Sequence, residues 1–147
     1  MHIYILFSFF CFLLAGGEGS RLKSLTKDTC KPLVKLGSHY HLIDFTLLNC
    51  LYSNIFNISV IVQYESIDLI KYFFESNITS LGNFYILPPT TKFDNKKNII
   101  FQNTAHSVYL NKHIVKDDFE DILILSADHI YSMDYSEFFE DHKKSNA

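Results

Sequence analysis

The start of this chain constrains its fold more than any other feature. An apolar run from Ile3 to Leu14 gives way to small residues, and three of the five glycines, Gly16, Gly17 and Gly19, follow at once. Two readings compete. An apolar segment ending in small residues is the outline of a secretory signal peptide with its cleavage site near Ala15 to Gly17. The same outline fits a buried strand that feeds a glycine loop. The run is about a dozen residues, short of the roughly 20 that a membrane-spanning helix needs. A signal peptide opens on positive charge, whereas only His2 precedes this run. Ile3, Tyr4, Ile5, Phe7, Phe9 and Phe10 are strand formers, which favours the strand.

A glycine loop after a strand has a chemical use. Without Cβ atoms, the backbone can turn sharply and come close to a polyphosphate, so that successive N–H groups point at phosphate oxygens. Arg21 adds a cation two residues after Gly19. The spacing of Gly16, Gly17 and Gly19 matches neither GxGxxG nor GxxxxGK[ST], which excludes the dehydrogenase and P-loop readings. A plain tight turn is the competing use of such a cluster.

Beyond the loop, short apolar runs alternate with stretches of helical period, the pattern of βαβ units around a parallel sheet. Strands are expected at Ile3 to Leu14, Ile58 to Val62, Phe84 to Leu87 and Ile122 to Ser126. A helix from His41 to Ser53 would place Leu42, Phe45 and Leu48 on one face, and Ser66 would cap a helix carrying Ile67, Ile70 and Phe74. Further helices are expected at Thr104 to Lys116 and Tyr135 to Lys144. Pro88 to Asn98, rich in Pro, Asn and Lys, reads as an exposed loop. With no later strand to complete the far half of a sheet, the sequence reads as the front part of a longer protein.

Composition narrows the function. With 48% hydrophobic and 20% charged residues over 147 positions, the chain can bury one core, which excludes a disordered protein. A net charge of −3 gives no basic face for nucleic acid. The three cysteines, Cys11, Cys30 and Cys50, are widely spaced without a CxxC, so neither a zinc knuckle nor a disulfide framework is indicated, and a reducing, cytosol-like compartment fits. Two sequons, at Asn57 and Asn77, would matter only after secretion.

The segment "LAGGEGSRLKSLT" followed by "CKPL" resembles the signature of sugar-phosphate nucleotidyltransferases. Within that superfamily, "HYHLIDFTLLNCLYSNI", "VIVQYES" and "ADHIYSMDYSEFFEDH" are similar to the corresponding blocks of glucose-1-phosphate adenylyltransferases. The resemblance implies an α/β, Rossmann-like nucleotidyltransferase fold, a mostly parallel sheet with helices on both faces, here truncated. Residues 1–147 would be the N-terminal part of the catalytic domain, without the family's C-terminal β-helix. It further implies ADP-glucose and pyrophosphate formation from ATP and glucose 1-phosphate in glycogen or starch synthesis. Mg2+ would be the cofactor, and the full-length enzyme would be a homo- or hetero-oligomer. The location would be cytoplasmic, or plastid in a plant or alga, with no nucleic-acid or membrane partner.

Residue by residue, the resemblance assigns nucleotide binding to Leu14, Ala15, Gly16 and Gly17, with Gln63 and Thr104 near the base. Arg21 would face the β- and γ-phosphates, and Lys31 would stabilise charge near the α-phosphate. Asp128, expected at the carboxyl end of a strand, would be catalytic as the metal ligand. Asp44 is expected to position the helix it begins. The match departs from the family at Ser24, which replaces a proline, and at Phe101, Asn103 and His106, which replace a tyrosine, a glycine and an aspartate. Ala127 stands for a glycine before Asp128, and Asp28 stands where some relatives carry an activator-binding lysine. These departures keep open a non-catalytic or degenerate nucleotide-binding subunit, and the chemistry alone also admits another sugar 1-phosphate.

Overall fold

The structure, a computed structural model, describes residues 9–17, 22, 25–26, 29–63, 66–88, 92–94, 97–99, 104–116 and 119–145. It begins with strand β1, Phe9–Ala15. After a 3-10 turn at Lys31–Leu33 come two short antiparallel strands, β2 (Lys35–Leu36) and β3 (Tyr40–His41), then helix α1, Leu42–Tyr52. Strand β4 (Asn57–Val62), helix α2 (Ser66–Glu75) and strand β5 (Asn83–Leu87) follow. A hairpin of β6 (Lys92–Asp94) and β7 (Lys97–Ile99) leads to helix α3, Thr104–Asn111. Strand β8 (Asp121–Ser126) and helix α4 (Tyr135–Ser145) complete the order.

The main sheet runs β5-β4-β1-β8, and every pairing in it is parallel. Parallel sheets are covered on both faces, so their strands are apolar throughout rather than alternating. β1 obeys this rule. Phe9, Cys11, Leu13 and Ala15 join one buried cluster with Ile43, Leu47 and Cys50 of α1, Leu69 and Phe73 of α2, and Tyr135 of α4. Phe10 and Phe12 join a second cluster with Ile61, packed against Val108 and Leu110 of α3 and against Ile114, Val115 and Phe119. Helices therefore lie on both faces of the sheet. The apolar opening run is its central strand as far as it is described, and residues 3–8 lie outside the described residues.

Polar bonds fix α1 to α2 and to the segment around it. The backbone N–H of His41 donates to Asp44 Oδ2 at 2.7 Å, a capping box that starts α1 as expected, and the Tyr72 hydroxyl donates to Asp44 Oδ1. Asn49 Nδ2 donates to the Tyr131 carbonyl at 2.9 Å, and Tyr135 N–H donates to Ser53 Oγ at 2.8 Å. These tie α1 to the segment that follows β8.

All four expected strands form within the described residues, the first from Phe9 onward, but the helix faces differ from expectation. In α1 the core side is Ile43, Leu47 and Cys50, while Leu48 is 37% exposed and Phe45 only partly buried. In α2 the buried pair is Leu69 and Phe73, and Ile67 and Phe74 stand 78% and 81% exposed. Both helices are apolar on more than one side, so period alone does not choose the side that meets the sheet. The helix expected to reach Lys116 ends as α-helix at Asn111 and continues as a 3-10 turn at Lys112–Ile114. The expected loop at Pro88 to Asn98 includes the β6–β7 hairpin. Among the described residues no helix is long and apolar enough to cross a membrane, and Cys11, Cys30 and Cys50 are free thiols, all buried.

Candidate active site at the switch point of the sheet

From β1 the chain crosses to β4 on one side, and β8 later docks on the other side of β1. At such a switch point the loops leaving neighbouring strands diverge, and open α/β sheets bind ligands in the crevice beyond the carboxyl ends. A cavity of about 330 Å³ lies there, lined by Leu14, Ala15, Gly16, Gly17, Lys31, Pro32, Gln63, Thr104, Ser126 and Asp128. Eight of the nine site residues expected from sequence are in this lining. The ninth, Arg21, lies outside the described residues, as do Asp28, Ser24, Phe101 and Asn103.

Each element delivers its residue for a local reason. β1 ends at Ala15, and the Ala127 N–H donates to the Leu14 carbonyl at 3.0 Å, which extends the ladder and sets Asp128 beside the glycine loop. Gly16 is required by closeness: a β-carbon there would stand 3.0 Å from Gln63 Cβ. For Gly17, no atom of the described residues comes within 4 Å of such a carbon. Thr104 is the first residue of α3, so the helix end that carries free N–H groups and partial positive charge is at the cavity.

The charged centre is a pair joined across the fold. Lys31 Nζ donates to Asp128 Oδ2 at 2.5 Å, with side chains 27% and 29% exposed. The Ser126 hydroxyl donates to Asp128 Oδ1, and His129 Nδ1 lies 3.4 Å from that same oxygen. Burial pushes the Asp128 carboxyl up, but the hydrogen bonds from Lys31 and Ser126 and the charges of Lys31 and His129 outweigh it, so it titrates below the ordinary carboxylate range. Asp128 is thus an anion at neutral pH.

Two lining residues were missed from sequence. Ser126 was read only as the end of a strand, although its place two residues before Asp128 was the available signal. Pro32 stood in the quoted "KPL" without a role, and its ring is buried in the turn that carries Lys31.

A doubly wound parallel sheet with glycines, a lysine and an aspartate around a crevice at its switch point is an α/β fold with its ligand-binding position open. The chain belongs to the nucleotidyl transferase family, whose profile matches residues 11–147. It is 40% identical over 141 residues to a glucose-1-phosphate adenylyltransferase of Mycoplasma mobile, covering 92% of this chain and 36% of that protein. The protein of the same name from Clostridium acetobutylicum is 41% identical over 141 residues, with the same two shares, and that of Bacillus mycoides is 40% identical over 140 residues. The chain spans little more than a third of the length of these relatives, 36% for the first two.

Proposed function

We propose that this chain supplies the nucleotide half of a glucose-1-phosphate adenylyltransferase site and acts in making ADP-glucose for α-glucan synthesis. The observation that carries this reading is the meeting of Lys31 and Asp128, 97 positions apart, in one cavity with Gly16 and Gly17. The relatives' shared name supplies the substrates, ATP and glucose 1-phosphate.

In this reaction a phosphate oxygen of glucose 1-phosphate forms a bond to the α-phosphorus of ATP, and the bond from that phosphorus to the bridging oxygen of the β-phosphate breaks. Pyrophosphate leaves. No proton has to be moved by the protein, so orientation and neutralisation of anions are its contribution. Backbone N–H groups of Gly16 and Gly17 would hold phosphate oxygens, Leu14 and Ala15 would frame the nucleoside, and Gln63 and Thr104 would contact the base. Lys31 would move its charge onto the α-phosphate, and Arg21 would face the β- and γ-phosphates.

Magnesium is held by one or two carboxylates together with phosphate oxygens. Asp128, anionic and partly exposed, fits one such position, and it is the only carboxylate in the described lining. The metal, when bound, would neutralise the departing pyrophosphate. As in other cytoplasmic nucleotide enzymes, no membrane or nucleic-acid partner enters this reading, and an oligomer is expected of the full-length protein.

The test is a pyrophosphate-release assay with ATP, Mg2+ and glucose 1-phosphate, alongside titration with a fluorescent ATP analogue. Release that requires glucose 1-phosphate and is lost in Asp128→Asn is expected. Failure to bind the analogue would overturn the reading. Binding without release would favour a nucleotide-binding subunit, the alternative that His106 and Asn103 support.

A further inference from the structure

Asp128 shares its two oxygens between partners of different kinds. The Ser126 hydroxyl on Oδ1 comes from backbone that is fixed on every side. Ser126 pairs with Leu14 in the β1–β8 ladder, its carbonyl accepts from Thr46 Oγ1 at 3.1 Å, and the next N–H is bonded to the Leu14 carbonyl at 3.0 Å. Thr46 is itself fully buried, at 0% exposure. The Lys31 ammonium on Oδ2 comes instead from a four-carbon stem rising off a 3-10 turn, and it is part-exposed. A lysine stem has four rotatable torsions and can relocate its charge over several ångströms; a hydroxyl one rotatable bond from a fixed backbone moves far less.

We propose that Lys31 is a placeholder cation and Ser126 a positioning residue for one metal-binding oxygen. Lys31 holds Asp128 Oδ2, and it yields that oxygen to a divalent cation only when a polyphosphate arrives to receive the ammonium. Ser126 holds Oδ1 in both states and so keeps the carboxylate aimed. This rests on the nucleotide-binding reading above and adds an order to it: metal and nucleotide enter interdependently. Two cations cannot share Oδ2 at contact distance without strong repulsion, so a lone metal ion has to displace Lys31 into water with no anion to compensate. A nucleotide removes that penalty, and by linkage the metal helps the nucleotide equally. Carboxylate ligands to metals are themselves oriented by hydrogen bonds, and losing such a partner typically weakens the metal by about 10- to 100-fold.

The decisive measurement is titration of the chain with Mn2+ alone, read by the loss of free-ion electron paramagnetic resonance. Circular dichroism checks that each variant is folded. Weak binding is expected in the wild type, and about tenfold tighter binding in Lys31→Met and Lys31→Gln. Lys112→Met, at a lysine that lies over the Tyr109 ring, serves as the control for general loss of positive charge and should leave the affinity unchanged. In the Lys31→Met background, Ser126→Ala should lose about tenfold and Ser126→Thr should retain it. Asp128→Asn should abolish the tightened binding. In the wild type, the Lys31 Nζ resonance should shift on adding Mg2+ with ATP but not Mg2+ alone.

Equal Mn2+ affinity in the wild type and both Lys31 variants would overturn the placeholder, and an unchanged affinity on Ser126→Ala would overturn the positioning role. A chain that fails to bind the fluorescent ATP analogue would instead sink the nucleotide reading. The Mn2+ titration contains no nucleotide, so its result stands apart from that failure.

Discussion

Gly16 and Gln63 touch within the lining of the cavity, where a β-carbon on the glycine would stand 3.0 Å from Gln63 Cβ and 3.6 Å from its backbone nitrogen. The end of β1 and the end of β4, paired through Ala15 and Val62, therefore leave little room for a side chain at position 16. Gly16→Ala should push Gln63 aside, weaken binding of the ATP analogue and cost about 1 kcal/mol in urea denaturation. Gly17→Ala meets no neighbour within 4 Å among the described residues and should keep stability within about 0.5 kcal/mol of the wild type. If Gly17→Ala were the more destabilising of the two, the assignment of the close contact would be wrong.

A second glycine is fixed by backbone rather than by side chain. A β-carbon on Gly82 would stand 2.7 Å from the carbonyl oxygen of Phe56, just where the Asn83 N–H donates to that oxygen at 2.7 Å. Gly82→Ala has to separate the strands β4 and β5 at their start. A loss of about 1–3 kcal/mol in equilibrium unfolding is expected, with little effect on nucleotide binding, because the site is at the other end of these strands.

Phe12 is fully buried and packs edge-on to Phe10, with ring centroids 5.2 Å apart. Phe12→Ala should cost about 3–5 kcal/mol. Domains of this kind have a total stability of about 5–15 kcal/mol, so the variant should be largely unfolded well below the wild-type melting temperature, as circular dichroism would show.

At the opposite end of β8 from the site, Lys143 Nζ bonds Asp121 Oδ2 at 2.7 Å and Glu120 Oε2 at 3.2 Å, with His142 Nε2 3.3 Å from Asp121 Oδ1. The hydrogen bond from Lys143, against an opposing push from burial, holds Asp121 below its ordinary range, and Lys143 is held above its own by the bonds to Asp121 and Glu120. A depressed acid stabilises the fold above its unfolded value, about 3.9, and loses that contribution as pH falls through the folded value. A raised lysine stabilises below its unfolded value, about 10.4, and loses that contribution as pH rises through the folded value. Lys143→Met should therefore lower the melting temperature between these limits, and the difference from wild type should close at both extremes. A difference that persists at low pH would mean that Lys143 acts through packing, for instance over the Phe139 ring 5.2 Å away, and not through charge.

The strands were legible because each is a short apolar run bounded by polar or small residues, and a parallel sheet wants both faces of such runs. The helix faces were not. Ile67, Ile70 and Phe74 have helical spacing as good as that of Leu69 and Phe73, and only the position of the sheet decides between them. The lining of the cavity was legible through the glycines and, by the family resemblance, through Lys31 and Asp128. Ser126 and Thr46 were not, since a hydroxyl gains a role only from what lies beside it, and their partners are Asp128 and the Ser126 carbonyl across the fold.

The central place of β1 has a consequence for the order in which the molecule is made. Its first described residue, Phe9, pairs with Asp121, and its two neighbours in the sheet come from the middle and the far part of the chain. During synthesis this apolar stretch therefore emerges before both of its neighbours and finds the second only after β8 has left the ribosome. Until then β1 keeps one edge unpaired. Such long-range parallel pairing folds slowly and exposes apolar surface to aggregation, so the growing chain spends its synthesis displaying the very feature by which export machinery and chaperones recognise their clients.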